Sequence, residues 1–208
     1  MEDVLGVYKR PYDPLLPVIC IDESSKQLIG HTRTPLPAVP GNTQTWDYEY
    51  RRCGVADVFM IFEPLGCKRH VRATSTRTKT DFAETLRYTS DVMYPRAEKI
   101  VVVMDNLNTH SLGSLYEAYP AEEARRIAER FEIHFTPKHG SWLDMAEIEL
   151  GVLKRQCLSG RIATIEEMEQ EIRAWEAERN SKCLTVIWQF TTADARIKLE
   201  RLYPKFSN

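Results

Sequence analysis

The sequence predicts an α/β fold, a mixed sheet begun by antiparallel strands and completed through helical crossovers, and three observations carry that prediction. The run Ile100–Met104 inside "KIVVVMD" is apolar at every position, the pattern of a strand covered on both faces. Ahead of it, "VICIDE", "DVFMIFEPL" and "KRHVRAT" read as strands with no helix between them, the last with clear alternation. Behind it, helical and strand patterns alternate, the signature of α/β crossovers. A length of 208 residues suits one large domain, with or without a small appendage.

Taken in order, residues 1–17 hold three prolines and read as a lead-in arm, with a short helix and then extended chain; residues 18–208 form the domain proper. "VICIDE" is the first strand, and "QLIGHTRT" (residues 27–34) its hairpin partner across the polar turn "SSK". Residues 35–56 carry three prolines and two glycines and read as a long loop, of the kind usually kept for function. "TKTDF" opens the first clear helix with a Thr cap and Asp81 in its first turn, and Pro95 bounds its far end. Pro120 divides "SLGSLYEAY" from "AEEARRIAERF", both helical in pattern. "EIHFTP" is a further strand, and "WLDMAEIELGVLKRQCL" a helix. "TIEEMEQEIRAWEAERN" is another helix, opened by Thr164 with Glu167 three residues on. The tail "FTTADARIKLERLYPKF" packs one last helix.

Composition excludes several classes. No apolar run approaches the ~20 residues that cross a bilayer, and the N-terminus has no signal-peptide pattern. Five cysteines without a CxxC pair argue against a disulfide framework or a zinc ribbon and suit a reducing cytosol. A net charge of −2 gives no overall attraction to a polyanion, so nucleic-acid contacts must come from local patches. One lies in residues 64–80, with Lys68, Arg69, Arg72, Arg77 and Lys79 and no carboxylate; a second holds Lys154, Arg155 and Arg161. Trp46, in the long loop, fits a hydrophobic anchor better than a base-stacking platform.

The chemistry gathers on carboxylates. Asp22 ends the first strand and Asp105 the apolar one; on neighbouring strands they emerge together, where open α/β sheets place their sites. Two such acids repel unless a cation separates them, and hard oxygen donors favour Mg²⁺ or Mn²⁺. A third acid from a packed helix would complete a two-metal site for phosphodiester chemistry. Glu147 and Glu149 are the candidates. They lie about 200° apart on a helix and flank the core stripe Ala146, Leu150, Leu153 and Cys157 on opposite sides, so periodicity does not choose between them.

The stretches "CIDE", "MDNLNTH" and "TPKHGSWLDMAEIELGVLKRQC" resemble the acidic motifs of the DDE transposases of the mariner superfamily, in its bacterial insertion-sequence branch. The likeness runs through "PYDPLLPV", "TRTPLPAVPG", "DYEY", "FMIFEPL" and "WQFTTADARIKL". It implies an RNase H-like mixed five-stranded sheet flanked by helices, and two Mg²⁺ or Mn²⁺ ions held by three acids. It further implies cleavage of transposon ends, strand transfer into target DNA, and a homodimer in the active complex. Asp22 and Asp105 match the first two acids. The family's third motif reads Leu-Asn-Pro-Ile-Glu, and "LDMAE" in its place selects Glu147, with Asp144 standing for Asn and Met145-Ala146 for Pro-Ile. The resemblance sets Asn106, His110, Lys138 and His139 beside the site as DNA contacts, with Lys68, Arg69, Arg72, Arg77, Lys79, Lys154 and Arg155 as the basic surface. Family members carry an N-terminal helix-turn-helix region. The first acid comes about twenty residues into this chain, so the expectation is an excised catalytic domain or a truncated reading frame, the latter able to pair with a full transposase and regulate it.

Overall fold

A computed structural model of the chain describes residues 1–43, 45–108, 110–138 and 140–203. In order, its elements are α1 (Glu2–Val7), β1 (Val18–His31), β2 (Tyr50–Glu63), β3 (Lys68–Thr74), α2 (Lys79–Tyr88), β4 (Ile100–Met104), α3 (Gly113–Ala118), α4 (Ala121–Ala128), β5 (Phe131–Phe135), α5 (Met145–Gln156), α6 (Ile165–Ser181) and α7 (Thr192–Lys198). The strands form one sheet in the order β3-β2-β1-β4-β5. β1, β2 and β3 are antiparallel neighbours, whereas β4 runs parallel to β1 and β5 parallel to β4.

The expected hairpin between "VICIDE" and "QLIGHTRT" is one continuous strand instead. Ser24, Ser25 and Lys26 do not turn, because each meets a partner while extended. They pair with Val58, Asp57 and Ala56 of β2, Ser25 Oγ donates to Asp57 Oδ1 at 2.5 Å, and Lys26 Nζ donates to the Leu158 carbonyl at 2.7 Å. β2 therefore begins at Tyr50, and the long loop shrinks to residues 32–49, where two bridges, Leu36 with Thr45 and Val39 with Asn42, draw it into a strap. Trp46 anchors nothing there; it is 58% exposed.

Alternation along the strands sorts the core into two faces. Val18, Cys20, Met60, Phe62, Val71, Val101 and Val103 pack against α1, α5 and α6; Ile19, Ile21, Phe59, Ile61, Ile100, Val102 and Met104 pack against α2, α3 and α4. The lead-in belongs to this structure, since α1 buries Val4, Leu5 and Val7 in the first of these clusters. All five residues of β4 are buried. At about 1.5–3 kcal/mol per aliphatic side chain, that anchoring makes its C-terminal end a firm place from which to hang a polar group.

Helix starts follow their caps. Thr78 and Asp81 form a reciprocal capping box at α2, and Thr164 Oγ accepts the Glu167 N–H at α6. The helix expected from Trp142 starts later. Ser141–Leu143 forms a 3₁₀ turn, and α5 begins only after Asp144, whose side chain caps it by accepting the Ala146 N–H. One further expectation fails. Cys67, in the β2–β3 turn, is disulfide-bonded to Cys183, just past α6, with their Cα atoms 4.9 Å apart. A pair 116 residues apart in sequence leaves no spacing signal to read.

Candidate active site

The register of the parallel pair sets Cys20 beside Val103. Asp105, two residues further on, leaves the C-terminal end of β4, whereas Asp22, two residues further on, lies inside the longer β1 just past the point where its pairing with β4 stops. On the neighbouring strand Asp22 pairs with Met60. α5 packs across β1 and β2 on this face of the sheet and brings its N-terminus to the strand ends.

The two acids live in different surroundings. Burial drives the Asp22 carboxyl up to about 7, and the neighbouring charges of Glu23 and Asp105 push the same way against a hydrogen bond from the Glu23 N–H. Asp105 goes the other way. His110 Nδ1 lies 2.6 Å from its Oδ1 and the Leu107 N–H donates to the same atom, which holds this carboxyl below its ordinary value although burial opposes it. His110 itself is only 3% exposed. Burial alone would lower it, but Asp105 on one ring nitrogen and Glu23 Oε2, 2.6 Å from the other, raise it to about 10, so it is an imidazolium at neutral pH. Arg77 extends the chain, 3.4 Å from Glu23 Oε1. The ring of Phe82 packs 4.8 Å from that of His110. His110, expected as a DNA contact, is thus corrected to a buried support for Asp105. Glu23 escaped the sequence reading because strand alternation points it away from Asp22, onto the His110 side.

On α5, Glu147 and Glu149 part company. Glu147 is exposed in the first turn. Glu149 is fully buried, bonded through Oε1 and Oε2 to the Arg179 guanidinium at 2.8 and 3.2 Å. Arg69 Nε lies 2.9 Å from Glu149 Oε1 as an ion pair, without hydrogen-bond alignment. That pair removes Arg69 from the basic surface where the sequence placed it. It is 2% exposed, with Nη1 donating to Asn180, Nη2 to the Leu184 carbonyl, and the ring of Phe62 beneath it. Asp144 faces the strand ends. It is 1% exposed, and burial followed by the charge of Asp22 raises its carboxyl well above the ordinary range.

The remaining basic residues separate by position. Arg72 stands level with Glu23 across β2 and pairs with Glu84 at 2.5 Å; Lys79 pairs with Glu117 at 2.6 Å. Lys68 is level with Glu63, near the opposite end of the sheet from Asp22. Lys154 and Arg155 are exposed in the last turn of α5, about 10 Å along the helix from Glu147 and on the same face. Asn106 donates to the Thr136 carbonyl at 2.6 Å and ties β4 to β5 beyond their ends; Lys138 is exposed on the loop that follows. His139 lies outside the described residues.

Among the described residues no three His, Cys, Asp or Glu side chains stand at metal-ligand spacing. The donor chemistry nevertheless fits a hard divalent cation. The cluster offers carboxylate oxygens, and one of them, Asp144 Oδ2, is buried without a partner.

The family model of the DDE superfamily endonucleases matches residues 17–169, a span holding Asp22, Asp105, Asp144 and Glu147. The chain belongs to this family. Two solved structures of similar fold are the Mos1 strand transfer complex, with a TM-score of 0.57, and the Mos1 mariner paired end complex with Mn, with a TM-score of 0.54. Each is 15% identical to this chain and matches 88% of it. The match covers 57% and 55% of those chains, so this DDE-family chain spans little more than half their length. At that identity the likeness is one of fold, the RNase H-like sheet with helices on both faces. No curated protein sequence matches the chain.

Proposed function

We propose that the chain is the catalytic domain of a DNA transposase, which cleaves phosphodiester bonds at transposon ends and joins the freed 3′-OH to target DNA. The observation that carries this reading is the meeting of Asp22, Asp105 and the N-terminus of α5 at one end of a parallel strand pair, inside a DDE-family match. Asp22, Asp105 and Glu147 would hold the divalent cations, two Mg²⁺ or Mn²⁺ ions. Bound there, such ions polarise a phosphoryl oxygen and lower the pKa of water.

The chain's own residues supply position. The His110 imidazolium fixes the Asp105 carboxylate from behind, and Glu23 with Arg77 fixes His110, so the acid is held in one orientation. Asp22, raised to about 7, is ready to give up a proton when a cation arrives. Glu147, exposed one turn into α5, has the freedom to swing toward either acid. Arg77, Lys138, Lys154 and Arg155 line the approach and would take DNA phosphates, binding without sequence preference and with strong salt dependence.

DNA is the partner, and a homodimer the working form. The exposed strap supports the latter, since Leu36, Val39, Trp46 and Tyr48 place a run of apolar surface where a second copy can cover it. The two solved structures of similar fold are a strand transfer complex and a paired end complex.

The test is nicking of supercoiled plasmid with Mn²⁺, followed by strand transfer from a pre-cleaved 3′ end. Wild type should do both, and Asp22→Asn, Asp105→Asn and Glu147→Gln neither. Nicking without transfer would make the chain a stand-alone nuclease. Neither activity, in a protein that binds Mn²⁺, would make it a non-catalytic partner of a full transposase.

A further inference from the structure

The second buried acid at the head of α5 has no assigned part. Asp144 is 1% exposed, caps the helix through Oδ1, which accepts the Ala146 N–H at 2.8 Å, and leaves Oδ2 buried with no hydrogen-bond partner. A cap needs one oxygen. Ser, Thr or Asn would cap as well without burying a charge, and the resembling motif has Asn at this place. An orphaned, desolvated carboxyl oxygen costs on the order of 1–3 kcal/mol or more, which asks for a compensating partner that the described residues do not supply.

The position of that oxygen is fixed from three sides. Tyr8 donates to the Leu143 carbonyl at 2.5 Å and reaches Cys20 Sγ at 3.4 Å, which pins the turn before Asp144 against β1. Cys20 and Asp22 lie two residues apart on one face of β1; the charge of Asp144 is felt by Tyr8 and by Cys20, and that of Asp22 by Asp144. Asp105 acts on Asp144 as well. Asp144 therefore lies within electrostatic reach of both of the first two acids, with its second oxygen buried.

We infer that Asp144 is a fourth carboxylate of the metal centre, its unpartnered Oδ2 serving as a ligand to a divalent cation shared with Asp22 and Asp105. The inference rests on the metal-dependent reading above and adds to it a residue that the three-acid motif does not contain. Adding an anionic oxygen to a site of hard donors tightens cation binding, because affinity in such sites follows ligand charge. A site with Asp144 should load Mn²⁺ at lower free concentration than the same site with a neutral capping residue.

The experiment is a Mn²⁺ titration of the whole chain followed by electron paramagnetic resonance of free Mn²⁺, with thermal melts in EDTA and in Mn²⁺ alongside. Asp144→Asn and Asp144→Ser both keep the cap, and melts in EDTA show that they fold. Their Mn²⁺ dissociation constants should rise about tenfold or more over wild type, with a smaller metal-induced rise in melting temperature. Asp105→Asn is the control for the site itself. If Asp105→Asn weakens binding while both Asp144 variants bind as wild type does, Asp144 is a helix cap only, and the fourth-ligand inference falls while the metal site stands. If wild type binds no Mn²⁺ at millimolar concentration, the metal-dependent reading falls and this inference with it.

Discussion

Replacing Asp22 by Asn should stabilise the metal-free protein, by an amount that grows from about pH 4 to about pH 7 and is complete above that. The carboxyl is raised from 3.8 to about 7, with burial the chief cause. A raised acid contributes stability that is complete below its unfolded pKa and lost as pH rises through the folded value. Between pH 4 and 7 the unfolded chain sheds this proton freely while the folded protein keeps it, so stability falls across that window. About three pKa units at 1.36 kcal/mol each set a ceiling of about 4 kcal/mol. Water entry and side-chain relaxation reduce this, so we take about 1–2 kcal/mol for the effect at pH 8. In a chain of this length that corresponds to about 2–8 °C in melting temperature. Asn keeps an oxygen to accept the Glu23 N–H. The assay is a thermal melt in EDTA at pH 5 and pH 8, with 5–10 mM Mg²⁺ (roughly saturating for a millimolar site) added in parallel. The variant should exceed wild type by clearly less at pH 5 than at pH 8; metal should raise wild type and leave the variant nearly unmoved. A variant that melts at or below wild type at pH 8 in EDTA would show that Asp22 carries no desolvation penalty, and the electrostatic account of the site would be wrong.

Asp105→Asn should behave oppositely, losing about 1 kcal/mol in EDTA, because it takes a carboxylate from the buried His110 imidazolium; a stabilised variant in the same melts would contradict the pairing. Glu147→Gln should abolish Mn²⁺-dependent nicking with an unchanged melting temperature. Glu149→Gln should cost about 3 kcal/mol or more by leaving Arg69 and Arg179 buried without their counter-charge, and a variant that stays as stable as wild type would refute that role. Charge reversal at Arg77 or Lys154 should lower the slope of log K against log salt for DNA binding by about 1 each, whereas reversal at Lys68, at the far end of the sheet, should leave it unchanged in the same filter-binding titration. Reduction of Cys67–Cys183, or Cys183→Ser, should lower the free energy of unfolding in a denaturant titration by less than the ~4.7 kcal/mol of a loop of about 100 residues, since Asn180 with Arg69 and Thr185 with Pro64 hold the same junction; a full loss would mean those bonds contribute nothing.

Local rules recovered what local energetics decide. The apolar run 100–104, the Thr cap with Asp81 in the first turn and the breaks at Pro95 and Pro120 each express a preference settled within a few residues, and the structure keeps all of them. Most of the failures have a partner distant in sequence. "SSK" has the residues of a turn but stays extended because β2 and the Leu158 carbonyl satisfy it. The Cys67–Cys183 bridge and the Arg69–Glu149 pair each join the β2–β3 region to segments beyond residue 145, and nothing in the residue types announces either.

At the site the same division decides what kind of residue each acid is. Asp22 and Asp105 could be read as a pair because strand ends and parallel register are regular. Which of them bears the cost of their meeting could not, because that depends on His110, folded back from the loop after β4 onto Asp105. With its imidazolium taken by Asp105 on one side and Glu23 on the other, the repulsion falls on Asp22 and Asp144, the two acids without a cationic neighbour in hydrogen-bond reach. Two carboxyls held up by burial beside one held down by a cation give a site that is proton-rich when empty. Loading a cation must then release protons. The affinity for Mn²⁺ or Mg²⁺ should accordingly climb with pH through the neutral range as these carboxyls ionise. Calorimetric titration of Mn²⁺ in buffers of different ionisation enthalpy reads that release directly. A proton count of zero at pH 6 would mean that the acids enter the bound state already charged, and that His110 does not partition the site in this way.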